Sequence, residues 1–524
     1  MKHVSQHFRL AASFRKCRFH NIFQKWQDDN HQDEDRYGPK NHNDFPGQSK
    51  PSPKLRGQLS GKPAAHQRND SYQHDQSEKY RIVESVCVSC DVNHFHSRIY
   101  YTERLSLFGK ELYNGAVWWN IPNATEKIRE NEMFNHHDLT RNAFMLHGPL
   151  AYHGYDWWWH SFTAQDAITG EDKPFFIEFF VCNPILAKGT PVFGQLPANR
   201  DTKTHPSYLM IKAGTWGEDH CQLHRFFAWK DVELHGEAPY SISAADCLAC
   251  ETALKGSVSI TKEDAESHPE WMCNSGKMCW DLTIDKQIAF NVGYGASKPL
   301  RDAEAFAMYW HAEGMKSAYS GTVVFNGRKY TVTPEKSYGY ADKNWGRDFT
   351  SPWVWLSSNC LTSMLTGKKL LNSAFDIGGG RPKIYFVPLN RRLLGAFYYE
   401  GKEYDFNFSH VWLQVKTEFS FKEKETEVIW HVRQENIHAV METEIHCLKK
   451  DMLWVNYEAP DGTKRHNRLW NGGNGWGTIR LFDKKEEDLV LVDEVSATHA
   501  GCEYGEYDDI SDTAAFGTIK RDRL

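Results

Sequence analysis

From residue 133 almost to the end, the chain is a succession of short apolar runs separated by turn residues, and this pattern limits the fold more than any other feature. PFFIEFFVC (174–182), SVSIT (257–261), WDLTID (280–285), IAFNV (288–292), TVVF (322–325), WVWLSS (353–358) and KIYFVPL (383–389) are all rich in β-branched or aromatic residues. Runs this short favour strands over helices. More runs follow at spacings of roughly 10–15 residues, near the signature of a sandwich or barrel. Asn326-Gly327, Gly378-Gly379-Gly380, Asp461-Gly462 and Asn471-Gly472-Gly473 supply turn signals between them. One helix is predicted, over 301–311 (RDAEAFAMYWH). Strand–helix alternation of the kind a parallel sheet needs is absent. The expected class is all-β and antiparallel, with two barrel-like units over 133–318 and 319–505.

The flanks read differently. Residues 28–80 hold only Tyr37, Phe45, Leu55, Leu59, Tyr72 and Tyr80 as large apolar side chains, too few to offset chain entropy. Residues 1–132 are therefore expected to be a largely disordered polar leader, and 506–524 a flexible tail. Residues 1–27 carry basic residues and no acid before Asp28, as organellar addresses do. A tail without an address fits better, and with no secretory signal and scattered cysteines the expected compartment is the cytoplasm.

Net charge is −6, which gives no basic surface for a nucleic-acid backbone. No apolar run is long enough for a membrane-spanning helix, and peripheral contact with a bilayer stays compatible with the sequence. The sequence fixes no oligomeric state. Aromatic residues make up 14% of the chain, and such side chains both pack sheets and line apolar cavities.

Two clusters combine these aromatics with polar groups. In GYDWWWHSFTAQD, strand alternation puts Trp157 and Trp159 on one face and Asp156, Trp158 and His160 on the other. A carboxyl and an imidazole among indoles suit acid–base work, because apolar walls raise a carboxyl pKa. The bland alternative is a sheet core with Asp156 closing a turn. Glu178 lies at the centre of the doubly buried run 174–182. The second cluster, YGYADKNWGRDFTSPWVWLSSN, sets Asp342, Lys343 and Asn344 beside Trp345, ahead of Trp353 and Trp355. Its bland alternative is an Asp/Asn loop carrying a surface ion pair.

Other motifs fail. FDIGGGRPKI and LWNGGNGWGTIRL lack the Lys-Ser/Thr of a phosphate loop and read as bends or bulges, although Asp376 is placed to face a cavity. Cys247, Cys250, Cys273 and Cys279 have a spacing that admits zinc, but irregularly, and scattered thiols acting as small hydrophobes are preferred. No metal is assigned. There is no GxSxG, HExxH, kinase or Rossmann fingerprint.

YADKNWG (340–346), followed by the aromatic strand SPWVWLSSN, resembles the tocopherol cyclase family. Asp156-Trp157-Trp158-Trp159 is similar to the Trp-pair motif that opens the first barrel in the wider lipocalin-like (calycin) superfamily, which includes carotenoid hydratases. The resemblance implies two lipocalin-like antiparallel β-barrels or sandwiches, covering about 145–505. It also implies a cyclase, hydratase or isomerase without a cofactor, which activates a double bond of a prenylated or otherwise apolar molecule by acid. Asp342 is the implied acid, with Asp156 as partner or alternative. Trp157, Trp158, Trp345, Trp353 and Trp355 are the implied cation-tolerant wall, and Lys343 and Asn344 would orient the head group. His160 and Glu178 complete the expected substrate-binding set. The family usually carries Glu where this chain has Asp342, which shortens the reach by a methylene. The alternative expectation is a non-catalytic carrier of apolar small molecules, which needs the pocket but not the buried acid.

Overall fold

The computed structural model describes residues 87–89, 98–100, 139–290, 305–350, 352–384, 387–388, 392–462, 469–486 and 488–505. The chain divides into two compact units, Met1–Glu130 and Asn131–Leu524. In the first, the described residues form one antiparallel pair, Cys87–Ser89 with Arg98–Tyr100. The rest of the expected leader and the expected tail lie outside the described residues.

The described residues of the second unit form two large antiparallel sheets, of twelve and eleven strands. The first begins with a hairpin of β1 (Tyr155–Asp166) and β2 (Asp172–Cys182). Asp166 shapes the turn: its Oδ1 accepts the N–H groups of Ile168 and Thr169, both at 2.9 Å. Beyond β2 lie Tyr208–Thr215 and Cys221–Phe227. On the other side, Arg328–Val332 joins β1 to β3 (Met308–Phe325), which continues into Gly276–Phe290, Ala253–Ile260 and shorter strands. β4 (Gly339–Gly346) pairs with both β3 and β1, so these strands close a small barrel.

Two expectations change here. Residues 308–311 begin β3 rather than continuing a helix. Trp310 turns to one side and Tyr309 and His311 to the other, and each face meets a packed wall, so a period of two prevails over an amphipathic helix. The expected division at 318 also falls inside β3, and the change of sheet comes later, between Gly346 and Trp353.

The second sheet holds β5 (Trp353–Ser358), β6 (Cys360–Ser363), β7 (Ala374–Gly380), β8 (Trp470–Lys485) and β9 (Asp488–Gly505). β5 lies between β7 and β9, β6 pairs with β9, and β8 carries the sheet on to Ala439–Leu448, Glu427–Glu435 and Lys416–Glu423. Alternation gives each sheet its own core. Trp158, Phe162, Phe175, Ile177 and Tyr319 lie in the first, and Val354, Leu356, Phe375, Ile377 and Trp430 in the second. The opposite faces of β1, β2, β5 and β7 are buried as well, which is why these strands read as continuous apolar runs rather than alternating ones. They pack against each other in a seam between the sheets. Trp216 Nε1 crosses it to donate to Asn471 Oδ1 at 2.7 Å, and the Tyr208 hydroxyl donates to Glu458 Oε2 at 3.0 Å. Among the described residues, no helix is long and apolar enough to cross a membrane.

Candidate functional site

The seam holds the densest group of buried acids and indoles. On β4, Tyr340, Asp342 and Asn344 face the seam, while Ala341, Lys343 and Trp345 turn into the first barrel. Asp342 is buried, and its Oδ2 accepts from Trp310 Nε1 at 2.9 Å and from the Tyr340 hydroxyl at 3.2 Å. Its Oδ1 lies 3.4 Å from Trp157 Nε1. Burial pushes the Asp342 carboxyl up to about 8, against the pull of the two indole N–H groups. It is therefore protonated at neutral pH.

Tyr340 links Asp342 to a second acid. Its hydroxyl is 3.0 Å from Oδ2 of Asp376, on β7. A phenol has one proton to donate, so with both contacts made as hydrogen bonds, one of the two carboxyls must supply the other proton. Burial, reinforced by the repulsion that Asp342 would exert were both carboxyls ionised, holds the Asp376 carboxyl well above its ordinary range. Glu503, on β9, accepts from Trp353 Nε1 at 2.6 Å and from Asn471 Nδ2 at 3.0 Å, and burial raises it to about 7.

Asp342 opens onto a cavity walled by Trp157, Trp159, Trp353, Trp355 and Tyr457, with Glu503 and Asn471 on its rim. Its space, open mouth included, is about 440 Å³, and the enclosed part holds no more than a few waters, so a larger ligand must displace side chains to enter. Of the glycine-rich stretches, expected as bends or bulges, the second shifts the strand register between Gly472 and Gly477, and both also make space for indoles. A Cβ on Gly378 would lie 2.8 Å from the Trp310 ring and one on Gly473 2.3 Å from that of Trp216; on β9, outside these stretches, one on Gly501 would lie 2.1 Å from the Trp355 ring. Asp376, one of the residues between those glycines and the Phe375 core position, faces the seam.

The other expected residues divide between the seam and the barrel interior. Trp157, Trp353 and Trp355 line the cavity. Asn344 faces the seam and accepts from the Tyr155 hydroxyl at 2.8 Å. Glu178 stands behind the cavity wall, 2.9 Å from Lys212 and accepting from the Tyr457 hydroxyl at 3.1 Å. Asp156, Lys343, Trp158 and His160 are turned the other way, into the first barrel. Asp156 forms a fully buried ion pair with Lys343, whose Nζ sits 3.8 Å from the Trp158 ring centre. His160 Nδ1 lies 2.8 Å from the Tyr319 hydroxyl, and burial holds the imidazole neutral. Trp345 stacks on Tyr309 at 5.4 Å. Asp156 therefore does not stand beside Asp342.

Trp159, Trp310, Tyr340, Tyr457, Asn471 and Glu503 complete the site without having been singled out from the sequence as binding or catalytic residues. Alternation would have found Tyr340, two residues before Asp342 on one strand face, and Trp310 once MYWHAEG is read with a period of two. Tyr457 and Glu503 carry no such signal, because only tertiary packing brings them to the seam. Among the described residues, no three His, Cys, Asp or Glu side chains are grouped to hold a metal ion, and Cys247, Cys250, Cys273 and Cys279 do not converge.

A family model described as tocopherol cyclase-like matches residues 304–506. The match takes in β3 through β9, and so Asp342, Asp376 and Glu503, but not β1. Two solved structures are similar. One is an AttH-like protein from Nitrosomonas europaea, 11% identical, with 68% of this chain and 93% of that chain covered and a TM-score of 0.32. The other is kievitone hydratase from Nectria haematococca, 12% identical, with 69% and 90% covered and a TM-score of 0.35. No curated protein matches the sequence.

Proposed function

We propose, on the support of the tocopherol cyclase-like match over residues 304–506, that the protein is a cyclase, hydratase or isomerase that activates a double bond of a prenylated or similarly apolar small molecule by protonation. The observation that carries this reading is Asp342, a buried carboxyl held at about 8 on the wall of an indole-lined cavity. The proton passes from Asp342 to an alkene carbon and leaves a cationic centre on the substrate. The faces of Trp157, Trp159, Trp353 and Trp355 stabilise that charge. The indole N–H groups of Trp310 and Trp157 hold the carboxylate that remains. A substrate hydroxyl or a water then forms the new C–O bond. Its proton returns to Asp342, directly or through Tyr340 and Asp376.

The test is turnover of a panel of prenylated phenols, followed by mass spectrometry. Cyclisation leaves the mass unchanged and shifts retention; hydration adds one water. Asp342→Asn keeps the shape and, through its amide oxygen, one of the two indole contacts, but has no acidic proton, and is expected to lower turnover about 10²–10⁴-fold. Asp342→Glu, the residue usual in the family, is expected to keep part of it. Recovery of the same unmodified ligand from wild type and Asp342→Asn would instead support a carrier.

A further inference from the structure

A second cavity in the seam shares a wall with the first. Its space, open mouth included, is about 330 Å³. Trp355 lines both cavities, and Tyr340 lines the second while its hydroxyl donates to Asp342 of the first. The linings differ. Indoles dominate the first, whereas the second carries the hydroxyl residues Ser161, Thr163 and Ser357 together with Asn359. Its lining runs from the partly exposed Tyr338 and His499 to the buried Tyr340 and Trp355. Such a lining suits water, which needs several polar partners, better than an apolar ligand.

The side-chain contacts of Asp342 differ in what they can pass. The indole N–H groups of Trp310 and Trp157 only donate, but a hydroxyl both donates and accepts, so Tyr340 is the contact that can relay a proton. Tyr340 leads on to Asp376 Oδ2 at 3.0 Å. Asp376 stands opposite Ser357 in the register of β7 and β5, so the two side chains are neighbours on one face, and Ser357 lines the second cavity. The other oxygen, Asp376 Oδ1, is buried and completes no hydrogen bond, although the Trp355 N–H lies near enough to favour the ionised carboxyl.

We propose that the second cavity is a water port that returns a proton to Asp342 in each turnover, through Asp376 and Tyr340. This role rests on the acid chemistry assigned above to Asp342. A substrate in the first cavity displaces its few waters and covers the side of Asp342 that faces it, which leaves Tyr340 as the way in. Once Asp342 has given its proton to the alkene carbon, the phenol proton of Tyr340 moves to Asp342 Oδ2, and the Asp376 proton moves to the phenol oxygen. Asp376 then takes a proton from water in the second cavity. The proton released by the attacking hydroxyl or water leaves to solvent through the mouth of the first cavity, so one proton enters for each that departs. Burial holds Asp376 protonated and so loads the relay before the first turnover.

The experiment follows product by rapid quench, from the first turnover into the steady state, on a prenylated phenol that the wild type converts. Tyr340→Phe keeps the ring and removes the relay. It is expected to form one equivalent of product at close to the wild-type rate and then to slow about tenfold or more. Ser357→Val narrows the second cavity and leaves Tyr340 and both carboxyls in place, and the same split between first and later turnovers is expected. First and later turnovers lowered alike in either variant, or neither lowered, overturns the proposal, since the substrate's proton would then return to Asp342 directly. Should Tyr340→Phe lose its thermal transition, Ser357→Val decides alone. A wild type that converts no phenol of the panel is a different failure, which overturns the reading of Asp342 and this role with it.

Discussion

At Asp342, the burial that keeps the carboxyl protonated also sets how the fold responds to pH. The folded value is about 8 against an ordinary 3.8, so between these limits the folded state holds a proton that the unfolded chain has released. The stabilisation is complete at low pH and is lost as pH rises toward 8. Asp342→Asn removes this dependence, so its Tm is expected to fall less than the wild-type Tm from mildly acidic to mildly alkaline pH, as followed by circular dichroism. Lys343 predicts a different behaviour. It is paired with Asp156 where neither has access to water, so Lys343→Met leaves a buried carboxyl without its partner. The expected cost is about 3–5 kcal/mol by denaturant unfolding, with much of it regained in the double variant with Asp156→Asn. An orienting role for Lys343 would appear instead as lost turnover at unchanged stability.

At the scale of strands, β7 and β9 owe their glycines to the rings they face. Gly501→Ala would drive a methyl into Trp355, and chemical denaturation is expected to show a loss of about 1–3 kcal/mol. Gly378→Ala, whose methyl would meet Trp310 at 2.8 Å, is expected to cost less. The strands themselves were legible because runs such as PFFIEFFVC and WVWLSS are short, apolar and bounded by turns. Alternation also assigned Trp157 and Trp159 to one face and Asp156, Trp158 and His160 to the other. It could not say which face looks into a barrel and which toward the other sheet, because both are buried and apolar. Asp156 and Lys343 were thus expected beside Asp342, although they sit on the far side of the same strands. In 301–311, Phe306, Met308, Tyr309 and Trp310 gave a helical stripe that the two-sided burial of β3 overrides.

Across the whole molecule, the indoles of β1 and of β5 stand on opposite walls of one seam, while β4, the first half of the second Trp-rich motif, lies beside β1 in the first sheet. Trp157 stacks on Tyr457 at 5.4 Å, and Trp310 meets Trp353 edge-on at 6.3 Å. The sheets are therefore joined through a layer that also holds several carboxyls raised far above their ordinary range: Asp342 and Glu458 at about 8 and Glu503 at about 7. All three are raised chiefly by burial, so all three favour the folded state less as pH rises. Ionising them places like charges in the joint between the sheets, whereas Glu313, raised to about 7 inside the first barrel, keeps the ammonium of Lys286 as its partner. The seam is accordingly expected to loosen before the cores do. Hydrogen exchange measured at rising alkaline pH should lose protection first in β4, β5 and β9, with Phe175–Phe179 and Val428–Val432 protected longer. Joint replacement of Asp342 by Asn and Glu458 by Gln should move that onset to higher pH. Simultaneous loss of protection in all these segments would show that seam and cores unfold as one unit.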